Sequence, residues 1–195
     1  MPYSESDTRV KLIDPKIKES NWSENNIVRE YYFTDGRKLI GNKRGKRYFV
    51  DYLLTYKNTN LAIIEAKAQS KDPLDGLQQS INYAQKLKID FVYATNGDKI
   101  YEHSLIEGSG RWIAEYPTPD ELFERKFGQI QFKEEKVITH PFYLSDKKPR
   151  FYQQIAVQKS IESIASGKNR ILLTLATGTG KTYIAFQIVY RLFAS

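Results

Sequence analysis

Residues Tyr48 to Ala68, YFVDYLLTYKNTNLAIIEAKA, decide how the rest of the chain is read. Two runs rich in Tyr, Val, Ile and Leu flank the polar cluster Asn58-Thr59-Asn60, the composition of two β-strands joined by a hairpin turn. If those three residues form the loop, Lys57 faces Leu61, Leu53 faces Glu65 and Asp51 faces Lys67. Side chains alternate along a strand with period two, so this register gathers Asp51, Glu65 and Lys67 on one face. A slip of one residue sends Asp51 to the other side.

Two carboxylates on adjacent strands can hold one or two hard divalent cations, and Mg²⁺ needs only one or two such ligands beside water and phosphate oxygens. A cation there activates water and neutralises phosphoryl charge, while Lys67 can orient the water or stabilise the transition state. The bland alternative is a solvated face whose Asp, Glu and Lys form weak surface ion pairs. The pattern Asp51, Glu65, Ala66, Lys67 resembles the PD-(D/E)xK nuclease superfamily, with Val50 where that name has proline. The resemblance implies Mg²⁺-dependent hydrolysis of DNA phosphodiesters, with Asp51 and Glu65 as metal ligands and Lys67 on the nucleophile.

Composition sets wide bounds. The chain of 195 residues suits one domain and the start of another, and its 41% hydrophobic content is that of an ordinary globular core. Cysteine is absent, which excludes disulfides and thiolate metal sites. The polar opening MPYSESDTRV and the lack of a long apolar window predict a cytoplasmic protein with no membrane segment. The net charge of +7 permits a polyanionic partner without requiring one.

Outward from the hairpin, Val10, Ile13 and Ile17 fall at helical spacing between Ser4 and Trp22, with Ser4 or Ser6 as cap and Pro15 opening a second short helix. Ile27 to Thr34 reads as a strand closed by a turn at Asp35-Gly36, and its Glu30 is either a further metal-shell carboxylate or an outward strand residue. Arg37 to Arg47 holds six basic residues and no acid, so Arg37, Lys43, Arg44, Lys46 and Arg47 are candidate DNA contacts, or else a solvated loop. Asp72-Pro73 opens a helix from Leu74 to Lys88 with the apolar stripe Leu74, Leu77, Ile81, Ala84 and Leu87. Gln79 and Tyr83 share another face. This Gln-x-x-x-Tyr resembles a pattern in RecB-like and type I restriction nucleases, which implies that the pair supports the site and contacts DNA.

Strands are expected at Asp90 to Thr95 and Lys99 to Leu105 around the Asn96-Gly97-Asp98 turn, then a short helix from Asp120 to Phe127. The order predicts an α/β fold, a mixed β-sheet flanked by helices like the restriction-endonuclease core. The expected domains are a nuclease unit at 1–127, a surface linker at 128–148 and a motor fragment at 149–195. His103 and His140 stand alone and read as ordinary histidines.

The second motif is RILLTLATGTGKTYIAFQIVYRLF from Arg170: an apolar, buried strand at Ile171 to Leu175, a Gly-rich loop, and a helix from near Lys181. Gly178, Thr179 and Gly180 can wrap backbone N–H groups around phosphate, Lys181 can reach the β and γ phosphates of ATP, and the Thr182 hydroxyl can ligate Mg²⁺. Together they form an incomplete RecA-like strand-loop-helix resembling superfamily 2 helicases, and Gln153 after Tyr152 resembles their adenine-reading glutamine. The chain stops at Ser195, before any second acidic motif, so no useful ATP hydrolysis by it alone is expected. A nuclease pattern followed by this loop resembles the restriction, or motor, subunit of type I restriction enzymes. That resemblance implies DNA, a methyltransferase subunit and a specificity subunit as partners. Two alternatives stand beside it: a DNA repair nuclease-helicase, and a silent DNA-binding module with a nuclease fold.

Overall fold

The chain begins with a helical segment, α1 (Glu5–Thr8), a wide π turn (Arg9–Ile13) and α2 (Asp14–Glu19), capped by the Ser4 hydroxyl accepting from the Asp7 amide. Pro15 lies in the first turn of α2, where its missing N–H costs nothing. Ile13 and Ile17 are fully buried, whereas Val10 is 64% exposed and drops out of the expected stripe. The computed structural model describes residues 1–34, 46–128, 132–143 and 149–195. The Asp35-Gly36 turn therefore lies outside the described residues.

Six strands follow, paired in chain order: β1 (Ile27–Thr34), β2 (Arg47–Tyr56), β3 (Thr59–Ala66), β4 (Phe91–Thr95), β5 (Ile100–Ser104) and β6 (Ser109–Ile113). β1 and β2 run antiparallel, β3 and β4 parallel, and β4, β5 and β6 antiparallel. This is the mixed sheet and α/β class that the sequence predicts. The parallel step needs a crossover, supplied by α3 (Leu77–Leu87), which buries Ser80, Ala84 and Leu87. A 3-10 turn, Pro73–Gly76, precedes it, with the Asp72 side chain accepting from the Leu74 amide at 2.9 Å. Leu74 is 38% exposed in that turn, so the apolar stripe starts later than expected. α4 (Pro119–Phe127) has a complete capping box between Thr118 and Glu121.

Two expectations in this unit fail. The hairpin turn is the pair Lys57-Asn58, both at positive φ (46° and 58°), not the triplet Asn58-Thr59-Asn60. A two-residue turn of this kind sets Tyr56 opposite Thr59, so the expected facing of Asp51 with Lys67 does not hold, and β3 ends before Lys67. β6 was not foreseen, because its residues are almost all exposed and give no buried alternation. Gly110 sits there under the Tyr101 ring, where an added Cβ would lie 2.5 Å from the phenol oxygen.

By contact the chain divides into Met1–Tyr56 with Asn60–Gly128, and Lys57–Thr59 with Gln129–Ser195. The second unit contains α5 (Phe132–Thr139), α6 (Phe151–Ala165) and α7 (Lys181–Ala194). α5 falls inside 128–148, the expected surface linker, and Ile138 on it is buried. Arg191 of α7 is fully buried, giving hydrogen bonds to the Gln158 side chain (3.0 Å) and to the Val137 (3.3 Å) and Ile138 carbonyls. Burial pushes its pKa down to about 10. The expected buried strand at Ile171–Leu175 is absent: no strand is assigned there, and Leu172 is 90% exposed. Among the described residues no strand lies beside it, and an extended segment without a neighbour leaves its backbone groups to water.

Candidate functional site

Asp51 sits where the β1–β2 ladder breaks. The register runs from Arg29 opposite Tyr52 to Tyr31 opposite Val50, skipping Glu30 and Asp51, and Glu30 has φ of 51°. With a two-residue turn, strict alternation would set Asp51 on the face opposite Glu65. Its carboxylate turns instead toward β3, where Oδ2 accepts the Ala66 amide at 2.8 Å. Lys67 gives its own amide to Thr95 of β4 at 2.8 Å, so the Ala66 amide one residue earlier points to β2. A side-chain carboxylate thus takes the place of a β2 carbonyl at the end of the ladder.

Glu65 and Lys67 meet at the same end. The Lys67 ammonium donates to Glu65 Oε1 at 2.7 Å, and the Ser80 hydroxyl lies 3.3 Å from Glu65 Oε2. Burial pushes the Glu65 pKa up, with the Asp51 charge adding to the shift and Lys67 and Ser80 opposing it. Burial works to lower Lys67, but the Glu65 hydrogen bond and the charges of Glu65, Glu5 and Asp51 raise it overall. The start of α3 closes over the pair: a Cβ at Gly76 would stand 2.9 Å from Lys67 Cε and 3.1 Å from Glu65 Cγ. Sequence reasoning missed Ser80 and Gly76, although each lies on the helix it had placed. No local pattern marks them, since their importance comes from what the crossover brings them against.

This donor set fits a Mg²⁺-type ion. Burial and the Asp51 charge raise the cost of ionising Glu65, and a divalent cation between the two carboxylates would relieve that cost. Among the described residues no group of three or more His, Cys, Asp or Glu could hold a metal, so an ion demanding a cage of protein ligands does not fit. Mg²⁺ keeps most of its shell as water and phosphate oxygen.

The other predicted residues are placed as follows. Gln79 donates to the Tyr83 phenol at 2.7 Å, and the Tyr83 ring packs on Phe33 (5.6 Å) and Tyr48 (5.3 Å) between ring centres. Arg37, Lys43 and Arg44 lie outside the described residues. Lys46 and Arg47 are exposed, the Lys46 ammonium 5.7 Å from the centre of the Tyr48 ring.

In the second unit the glycines of the loop have φ of 77° (Gly178) and 84° (Gly180), the left-handed region that glycine adopts freely. α7 starts at Lys181, and Lys181 and Thr182 are exposed at its first turn. The Gln153 amide donates to the Thr179 carbonyl at 2.9 Å while its oxygen accepts from the Arg150 amide, also at 2.9 Å. Tyr152 lies 3.3 Å from the same carbonyl. Gln153 therefore reaches a base edge only by exchanging bonds with the loop.

Known proteins are similar to this chain along nearly its whole length. The chain is 37% identical over 210 aligned residues to the type I restriction enzyme EcoAI endonuclease subunit of Escherichia coli, across 98% of this chain. Along nearly its whole length the chain is similar to the endonuclease subunit of a type I restriction enzyme. Identity to the EcoKI endonuclease subunit of E. coli strain K12 is 25%, again over 98% of the chain. A structure described as a fragment of an HsdR subunit from Vibrio vulnificus YJ016 superposes on the whole chain with a TM-score of 0.89 at 40% identity, covering 39% of that molecule. Residues 146–195 match the family described as type III restriction enzyme, res subunit. The chain spans about a quarter of the curated relatives, 26% and 22% of their lengths.

Proposed function

We propose that the sheet unit is the DNA-cleaving part of an R subunit, hydrolysing phosphodiester bonds with Mg²⁺ held by Asp51 and Glu65. The observation that carries this is the convergence of Asp51, Glu65 and Lys67 where β3 ends beside the middle of β2, with Glu65 pushed toward its protonated form by burial and by Asp51. Bound there, the ion would lower the pKa of a coordinated water and offset charge on the phosphate. Ala66 holds Asp51 through Oδ2, Ser80 holds Glu65, and Lys67 supplies the charge that orients the attacking water. Gln79 and Tyr83 support this end of α3 and meet DNA, together with the basic residues Arg37, Lys43, Arg44, Lys46 and Arg47.

The second unit is the opening of an ATP-dependent DNA translocase: Gly178, Thr179, Gly180, Lys181 and Thr182 receive the phosphates and Gln153 the base. A methyltransferase and a specificity subunit complete the enzyme. The domains divide as 1–127 for the nuclease, a connecting segment at 128–148 and the motor from 149.

Calorimetric titration of the chain with Mg²⁺, beside plasmid cleavage in Mg²⁺ and in EDTA by the subunit assembled with its partners, tests the reading. Binding and cutting are expected together, both lost in Asp51→Ala. Cleavage that persists in EDTA or in Asp51→Ala overturns it.

A further inference from the structure

A third side chain approaches Asp51 from the N-terminal helical segment. Arg9 opens the π turn after α1, and such widened turns recur at functional sites. Its Nη1 lies 3.6 Å from Asp51 Oδ1 and 3.4 Å from Glu30 Oε1, and its guanidinium carbon stands 5.2 Å from the centre of the Tyr52 ring. The segment is pinned in place: the Thr8 hydroxyl accepts the Gln69 amide at 3.2 Å, and the Tyr3 amide donates to the Gln69 side chain at 3.1 Å. Gln69 is two residues beyond Lys67, so the same strand end that carries the cluster also fixes Arg9.

The way Arg9 is held differs from that of Arg125, which is also bound to a strand carboxylate. Arg125 is committed to the buried Glu102 through two bonds of 2.7 and 3.0 Å. Arg9 is shared between the Tyr52 phenol and two carboxylates at longer range, and one of these, Glu30, has a side chain 74% exposed. A pair of that length with one open partner binds weakly, and a guanidinium with five donors keeps some for another acceptor. The oxygen it approaches is Asp51 Oδ1, the one the Ala66 amide leaves free. Glu30 meets Arg9 from a left-handed conformation that an L residue adopts at a cost, directly across the broken ladder from Asp51.

Resting on the nuclease reading above, we infer that Arg9 is a phosphate-binding residue of this site, held at its rim by Glu30 and released from Asp51 to grip a DNA phosphodiester. The planar fork of arginine matches two phosphate oxygens, and the Tyr52 ring supports its face.

The test compares wild type, Arg9→Met, Arg9→Lys and Glu30→Gln. A labelled duplex oligonucleotide is titrated in Ca²⁺ at several salt concentrations, and Ca²⁺ alone is titrated by calorimetry. Arg9→Met is expected to weaken duplex binding about tenfold and to lower the salt slope by about one, while Ca²⁺ binding without DNA is kept or tightened. Arg9→Lys should keep the salt slope and lose part of the affinity, and it decides the matter if Arg9→Met does not fold. Glu30→Gln should weaken duplex binding less than Arg9→Met. Duplex affinity and slope unchanged in Arg9→Met, or Ca²⁺ binding lost along with them, overturns the inference. Failure of the nuclease reading looks different: wild type then binds no Ca²⁺, or binds it unchanged in Asp51→Ala.

Discussion

A buried and a half-buried glutamate in one sheet have opposite fates. Glu102 on β5 is 2% exposed, accepts from Tyr93 at 2.9 Å and from Arg125 twice, and lies 3.2 Å from the Arg111 Nε. Burial alone would raise its pKa, but the bonds from Arg125 and Tyr93 and the two guanidinium charges bring it below the ordinary value. Glu65 on β3 has one lysine, one serine and a second carboxylate nearby, and its pKa goes up. The first site is saturated with donors and ties β4, β5, β6 and α4 together. The second gives Glu65 a single ammonium donor and sets a second carboxylate beside it, which is why we propose a divalent cation there. Both lose solvent; the balance of partners decides whether the folded protein lowers or raises the carboxyl pKa.

Four measurements can break or sharpen that contrast. Largest, Glu102→Ala should destabilise the sheet unit by about 3–5 kcal/mol, because it leaves two arginines and a tyrosine around a void; a thermal midpoint within a degree or two of wild type would remove the structural role. Next, Glu65→Gln should lower Mg²⁺-dependent cleavage at least about a hundredfold yet change stability by only about 1 kcal/mol. A parallel loss of folding, seen by chemical denaturation, would make Glu65 a structural residue like Glu102.

The third is the pH dependence, where the two signs oppose. Stability from Glu102 is present above its unfolded pKa and is lost as pH falls through its depressed folded value. The contribution of Glu65 is present below its unfolded pKa and is lost as pH rises through its raised folded value. Unfolding free energies of wild type and each Gln variant across the acid range check both slopes, and Mg²⁺ binding should fade on acidification above the usual carboxylate range. Smallest, Leu172→Ala in the exposed segment before the nucleotide loop should cost less than about 0.5 kcal/mol, whereas Ile64→Ala in β3, with no exposure, should cost about 2–5 kcal/mol.

Motif strength and structural completeness parted company along this chain. The Gly178-Thr179-Gly180-Lys181-Thr182 run was the more specific signal, and its loop and helix start stand where spacing put them. The strand feeding it did not form, since a strand is made by its neighbours. The Asp51, Glu65 and Lys67 pattern was the weaker signal, yet the strands carrying it were read nearly to the residue. What misled was the turn. Asn58-Thr59-Asn60 is turn-like by composition, but Lys57 takes the left-handed conformation and Thr59 pairs, so the period-two parity that brought Asp51, Glu65 and Lys67 together rested on the wrong register.

The sequence by itself determined the α/β class and the first five strands of the sheet, because periodicity and side-chain chemistry are local properties. Tertiary structure alone decided that Asp51 turns in-plane to cap the Ala66 amide, that Ser80 and Gly76 close on Glu65 and Lys67, and that Arg9 and Glu30 flank the free carboxylate oxygen. Each of those contacts joins residues distant in the chain through a broken ladder or a crossover. A hydrogen bond between separated segments depends on where both backbones end, and no window of sequence holds that information.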